Sequence, residues 1–129
     1  MLAGPLPTTV LEIDNGRETH TITVQVASTA RQRQNGLMGR ESLPDDVGML
    51  FVWDEAAIRA FWMKDTPLPL TVAFVAADGT ITQIEDMEPY SETHHTSTYP
   101  AKFALEMAHG WFKAKGIAPG AIVSIGGEK

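Results

Sequence analysis

Apolar and polar positions alternate along much of the chain with a period of two, the signature of strands with one buried face. Thr8 to Ile13 and His20 to Ala27 are rich in β-branched residues. In the second run Ile22, Val24 and Val26 alternate with Thr21, Thr23 and Gln25. Asp14-Asn15-Gly16 between the two runs is turn chemistry, so the pair predicts a β-hairpin. Gly48 to Trp53 is a continuous apolar run and predicts a central strand. Asp54-Glu55-Ala56-Ala57 reads as a turn after it, followed by a strand from Ala60 to Met63 that Asp65-Thr66-Pro67 ends. Leu70 to Ala76 and Ile81 to Ile84, separated by Asp78-Gly79, predict a second hairpin.

Lys102 to Ala108 has the composition of a helix, with Ala, Leu, Glu and Met. Its spacing argues otherwise: Phe103, Leu105 and Met107 alternate with Lys102, Ala104 and Glu106, so a strand is predicted. Ala121 to Ile125 closes the domain as a further strand. Two short helices complete the pattern. One is capped by Ser28 or Thr29 and runs to about Met38, with Ala30, Leu37 and Met38 on its inner side; Gly36 inside it signals close packing or an early end. The other spans Trp111 to Lys115 and ends at Gly116. Residues 88–100 form a polar loop bracketed by Pro89 and Pro100. The expected class is mostly β with two short helices, a β-sandwich or squat barrel of roughly seven or eight short strands. Residues 1–7 are expected to be a tail and residues 8–126 a single β-rich domain.

Composition narrows the function classes. A chain of 129 residues suits one domain. With 10 Lys and Arg against 16 Asp and Glu, the net charge of -6 repels phosphate backbones, and nucleic acid is not an expected partner. The absence of cysteine excludes disulfides, thiolate metal sites and cysteine nucleophiles. No apolar run reaches the roughly 18 residues of a membrane helix, so the chain is not expected to span a membrane. Met1-Leu2-Ala3-Gly4-Pro5 has neither the basic nor the apolar region of a signal peptide.

Four side-chain sets carry candidate chemistry. Arg40, Lys64 and Glu106 each stand on or beside an apolar strand or helix end. If they meet around a concavity, they could hold an anionic or polyhydroxyl ligand, since a guanidinium binds carboxylate or phosphate with two hydrogen bonds. The plainer alternative is a structural ion pair. Trp53, Trp62, Trp111, Tyr90 and Tyr99 could make flat platforms for sugar rings, although Trp53 and Trp62 lie within apolar runs and are expected to pack the core. Tyr90 and Tyr99 flank the polar loop and are the better ligand candidates of this set. His94 and His95, with Glu92 nearby, offer ligands for Zn²⁺ or Cu²⁺, but neighbouring side chains of an extended loop point apart. Met38, Met49, Met63, Met87 and Met107 offer thioethers for Cu⁺, or simply core filler. A Ser91–His94–Asp86 nucleophile set lacks the strained elbow and oxyanion signature of a hydrolase. No phosphate-cradling glycine loop, His-Glu-x-x-His or dinucleotide fingerprint occurs, and no cofactor is expected.

Several of these residues fall in segments whose order and spacing resemble domain-of-unknown-function family 192. They are Arg33-Gln34-Asn35-Gly36-Leu37-Met38-Gly39-Arg40, then Gly48-Met49-Leu50-Phe51, then Phe61-Trp62-Met63-Lys64-Asp65-Thr66, then Pro69-Leu70 leading to Phe74. Leu105-Glu106, Gly110, Gly116-Ile117 and Gly120 close the match, which spans about residues 20 to 125. The resemblance implies a compact β-rich fold of jelly-roll type and, in many members, an export signal, so a periplasmic or secreted location is expected, with the cytoplasm as the alternative. It carries no established activity and no catalytic residue. This chain departs from the family pattern at Thr71 and Ala121, where an acidic residue is common.

The reading that follows is a non-enzymatic binding or accessory domain for an unknown small ligand or protein. Its expected contacts are Arg40, Trp62, Lys64 and Glu106, with Tyr90 and Tyr99 at the rim. The runner-up is a hydrolase of a sugar or small anion with Glu106 as acid or base, for which Glu85, Asp86 or Glu88 would supply a second carboxylate. A structural or protein-interaction domain is the third class, signalled by a large exposed apolar patch.

Overall fold

The computed structural model describes residues 6–125. Residues 1–5 of the expected tail over residues 1–7, and the closing Gly126, lie outside the described residues. The first hairpin forms as expected. β1 (Thr8–Asp14) pairs antiparallel with β2 (Thr19–Ala27), with Leu11 opposite Ile22 and Ile13 opposite His20. Its turn is built by side chains: Asp14 Oδ1 accepts from the Gly16 amide at 2.8 Å, and Asn15 Oδ1 accepts from Arg17 and Glu18 at 2.9 Å.

α1 (Ala30–Asn35) follows. Thr29 caps it with a reciprocal capping box: Thr29 Oγ1 accepts from the Gln32 amide and Gln32 Oε1 accepts from the Thr29 amide, both at 3.1 Å. The helix stops three residues before the predicted Met38, because Gly36 takes a φ of +45° that a helix cannot hold. Leu37 is buried, but as part of the turn after the helix; α1 itself buries no residue.

The α1 crossover makes β2 and β3 (Val47–Ala57) parallel, with Val24 opposite Gly48 and Ala27 opposite Phe51. β3 runs on through Asp54-Glu55-Ala56-Ala57, correcting the expected turn there. The strand slips register against its partner between Val52 and Ala57 rather than reversing, so its polar residues face solvent while the chain stays extended. β4 is only Ala60–Phe61, shorter than the expected strand to Met63. It pairs with β7 (His95–Thr96), so the expected polar loop contains a two-residue strand. β5 (Leu70–Val75) and β6 (Ile81–Met87) form the second hairpin, and β8 (Ala101–Ala108) is the strand that its period of two predicted. α2 (Trp111–Ala114) and β9 (Ile122–Ile125) complete the chain.

The protein is mostly β with two short helices. Seven strands form one mixed sheet in the order β6-β5-β8-β3-β2-β1-β9, and β4-β7 form a separate ribbon. The sheet is not closed into a barrel, although a single bridge, Thr80 to Ile122, links its two ends. Both faces of the sheet are covered at its centre, while β1, β2 and β9 leave one face exposed. One carries Leu11, Ile13, Leu50, Val75, Leu105, Met107 and the α2 residues Trp111 and Phe112. The other carries Met49, Phe51, Leu70, Val72, Phe74 and Ala104, roofed by Leu37, Met63 and Leu68. Every residue of β5 is buried, as expected of a central strand with cover on both sides.

Candidate functional site

Alternation along β8 decides where Glu106 goes. Leu105 and Met107 join the first core face, so Glu106 stands on the second with Ala104. Its register partners are Met49 on β3 and Val72 on β5, both fully buried. A carboxyl in that setting keeps little of its water. Glu106 is 4% exposed, and among the described residues its side chain takes part in no hydrogen bond or ion pair. Burial pushes its pKa up to about 8, so it is un-ionised at neutral pH.

The second face is not packed solid above Glu106. A cavity of about 240 Å³ opens between the roof and the sheet, and Glu106 lines it. Phe51, Trp53, Phe61 and Leu70 supply apolar wall. The aromatic rings brace one another: Phe61 meets Phe51 edge-on with centroids 4.9 Å apart and Trp53 edge-on at 6.1 Å. Arg33, Gln34 and Asn35 of α1, with Trp62, Lys64 and Thr66, give the cavity its polar lining.

Its lining is held by cross-links between distant segments. The turn at 63–66 places Asp65 at a φ of +57°, a conformation that costs a non-glycine residue about 1 kcal/mol. Four backbone bonds keep it there: Thr66 N to Met63 O at 3.1 Å, Gly39 N to Asp65 O at 2.8 Å, Met63 N to Ser91 O at 2.7 Å, and Tyr90 N to Thr66 O at 3.1 Å. The turn after α1 and the polar loop are thereby tied to the same four residues. Arg33 Nη1 donates to the carbonyls of Ser28 and Val52, both at 2.8 Å, and its guanidinium lies 5.4 Å from the Trp53 ring. Arg59 approaches the same ring at 4.2 Å.

Lys64, Trp62 and Glu106 line one cavity. Lys64 Nζ lies 5.4 Å from the Trp62 ring, and Trp62 is 40% exposed instead of packing the core. Arg40 is not among the residues brought there; its guanidinium donates to Gln25 Oε1 on β2. Tyr90 and Tyr99 are exposed and do not line the cavity. The neighbouring histidines diverge. His95 Nδ1 is 2.8 Å from Glu85 Oε1, while His94 meets the Trp62 ring edge-on. Among the described residues no group of three His, Cys, Asp or Glu side chains is placed to hold a metal ion. Met63 is buried and lines the cavity with Met38, whereas Met49, Met87 and Met107 fill the core. Of the carboxylates considered as second acids, Glu85 bonds His95, Asp86 accepts from Thr71 Oγ1 at 2.7 Å and lies 3.6 Å from His109, and Glu88 is exposed and does not line the cavity. Arg33 and Phe61 line the cavity and were not among the expected contacts, although both sit inside the family-like segments.

The fold and cavity define a class: a mixed-sheet, mostly-β domain whose roofed face leaves an aromatic-walled cavity over one buried carboxyl. The chain belongs to domain-of-unknown-function family 192, Uncharacterized ACR, whose model matches residues 10–125. A crystal structure from Sinorhizobium meliloti 1021, described as a candidate transcription regulator, is 35% identical with a TM-score of 0.93, over 98% of this chain and 99% of that one. A crystal structure from Novosphingobium aromaticivorans DSM 12444, of unknown function, is 29% identical with a TM-score of 0.89, over 95% of this chain and 93% of that one. No curated protein matches the chain.

Proposed function

We propose that the domain binds a small ligand in the cavity over Glu106, and that it is a binding or accessory domain. One observation carries the reading: the Glu106 carboxyl is buried, has no partner among the described residues, and lines a cavity. Leaving a buried polar group unpaired costs about 1–3 kcal/mol. A ligand that hydrogen-bonds to Glu106 removes that cost on binding. An apolar cavity of about 150 Å³ accepts benzene, so about 240 Å³ suits a molecule built on one ring.

The hydrolase alternative draws less support. Inverting sugar hydrolysis needs two carboxyls about 6.5–9.5 Å apart across the substrate. Glu106 is the one carboxyl among the described residues lining the cavity. Transcriptional regulation, the description attached to the S. meliloti protein, is not carried over, because a net charge of -6 opposes binding to a phosphate backbone. Export belongs to the proposal on the strength of the family resemblance; fractionation of the native host tests it.

The test is thermal unfolding and NMR titration of the full chain against single-ring acids, amides, amines and sugars. A ligand at 100 times its dissociation constant adds about 2.7 kcal/mol of stability. It is expected to shift the amide resonances of residues 61–66. A panel that moves neither the unfolding midpoint nor those resonances overturns the reading.

A further inference from the structure

The charge around the cavity opposes the charge of the whole chain. The chain carries -6, yet the ionisable side chains lining the cavity are Arg33, Lys64 and Glu106. Burial keeps the Glu106 carboxyl protonated at neutral pH. The two cations are therefore opposed by no carboxylate of the lining. Arg33 donates to the neutral carbonyls of Ser28 and Val52, and among the described residues neither Arg33 nor Lys64 forms an ion pair.

We propose that the ligand is a small carboxylate on an apolar body of about one ring, with Glu106 donating its carboxyl hydrogen to the ligand and Lys64 and Arg33 supplying the balancing charge. The inference rests on the binding reading above and names its ligand class. An O–H group donating to a carboxylate makes a short, charge-assisted bond about twice as strong as a neutral one. The walls of Phe51, Trp53 and Phe61 take the apolar body. A cationic ligand would face two like charges and would have to strip the proton from Glu106 to gain a partner. A neutral ligand would gain the Glu106 bond but nothing from Lys64 or Arg33.

Proton linkage separates these classes. Below pH 8 the cavity holds the donor that a carboxylate needs. Above it Glu106 ionises, and the anion binds only after that proton is restored, so affinity falls by about tenfold per pH unit. An amine shows the opposite trend, tightening as pH rises toward 8.

The experiment titrates the full chain with benzoate, benzamide and benzylamine at pH 6.5 and 9, followed by calorimetry and amide shifts, with circular dichroism confirming the fold at both values. Benzoate is expected to bind about tenfold tighter than benzamide at pH 6.5 and to lose about tenfold by pH 9. Glu106→Gln, which keeps an N–H donor, is expected to bind benzoate with no such pH dependence. Lys64→Ala is expected to weaken benzoate severalfold and leave benzamide unchanged. Benzamide or benzylamine binding in the cavity as tightly as benzoate overturns the carboxylate inference while the binding reading stands. If none of the three moves the resonances of residues 61–66, the carboxylate inference falls, and the binding reading falls with it only when the rest of its panel is silent too.

Discussion

Gly48 on β3 packs so closely against the backbone of Glu106 on β8 that no Cβ fits between them: a methyl group there would overlap the Glu106 carbonyl oxygen and the Met107 sulfur. The sulfur could swing aside, but the carbonyl belongs to the β3–β8 ladder that sets the register of the sheet centre. Overpacking of this kind costs about 1–3 kcal/mol, and the upper end applies where backbone must move. Gly48→Ala is expected to lower the stability by that amount, read as a lower urea midpoint with an unchanged slope. A midpoint equal to wild type would mean that the two strands stand further apart than described.

Glu106 makes stability depend on pH in a fixed direction. Its carboxyl titrates near 8 when folded, against an ordinary 4.5 when the chain is unfolded. The folded state therefore holds the proton more tightly. Below about pH 4.5 both states are protonated and the stability is fully present. As pH rises from there to about 8 the unfolded state ionises first, and stability falls at up to about 1.4 kcal/mol per unit. Glu106→Gln cannot titrate. The stability of the variant minus that of wild type is expected to grow by several kcal/mol between pH 5 and 8, as read from urea unfolding at each pH. A difference that stays flat across that window would mean that the carboxyl titrates near its ordinary value.

The strands were legible because their side chains alternate, and the alternation of β8 also placed Glu106 opposite Leu105 and Met107. That the opposite face is buried too was not legible there. A period of two separates faces, but only tertiary cover from Leu37 and the 61–70 segment, remote in sequence, turns the second face into an interior. The same limit explains the errors. Asp54-Glu55-Ala56 has turn composition, yet long-range pairing at Ala57 keeps it extended. The short β4–β7 ribbon joins residues more than 30 positions apart through two pairs, too few to leave a pattern. Lys64 and Glu106 were legible as site candidates by their charge beside apolar runs. Arg33 carried no such signal, because Gln32 and Gln34 flank it, and its place at the cavity depends on carbonyls and a tryptophan supplied by other elements.

Arg40 shows the converse. Its charge and its place after α1 made it a candidate contact, but its hydrogen bond runs to Gln25, away from the cavity lining. Arg40→Ala is expected to cost about 1 kcal/mol of stability, the value of one lost hydrogen bond. It is expected to leave the affinity of any cavity ligand unchanged. Parallel titrations of Arg40→Ala and Lys64→Ala check this, and equal losses of affinity in both would return Arg40 to the site.

His95 acts as a clip. Its bond to Glu85, with Gln83 Oε1 accepting from the Thr98 amide at 2.8 Å, holds the polar loop against β6. His95→Ala is expected to speed amide exchange at Ser97, which donates to the Arg59 carbonyl, and at Thr98, while exchange in β5 stays slow. Uniform acceleration across the sheet would mean that the loop and the core open as one unit.

Asp46 joins the start of β3 to α2 under local strain. It sits at a φ of +59°, its carbonyl accepts from the Thr23 amide at 3.1 Å, and its Oδ1 accepts from Trp111 Nε1 at 2.9 Å. Three substitutions separate the backbone from the side chain. Asp46→Asn keeps an acceptor and tolerates the left-handed backbone; it loses only the long, half-exposed contact to Lys115 at 3.9 Å, which is worth little. Asp46→Gly loses the acceptor but relieves about 1 kcal/mol of backbone strain. Asp46→Ala loses the acceptor, keeps the strain, and leaves the indole N–H of a buried tryptophan unpaired, at a cost of about 2 kcal/mol. The expected order of stability is therefore Asn above Gly above Ala, measured by urea unfolding. If Ala proves as stable as Gly, the strain at Asp46 is negligible; if Asn proves as unstable as Ala, the charge of Asp46 rather than its acceptor holds Trp111.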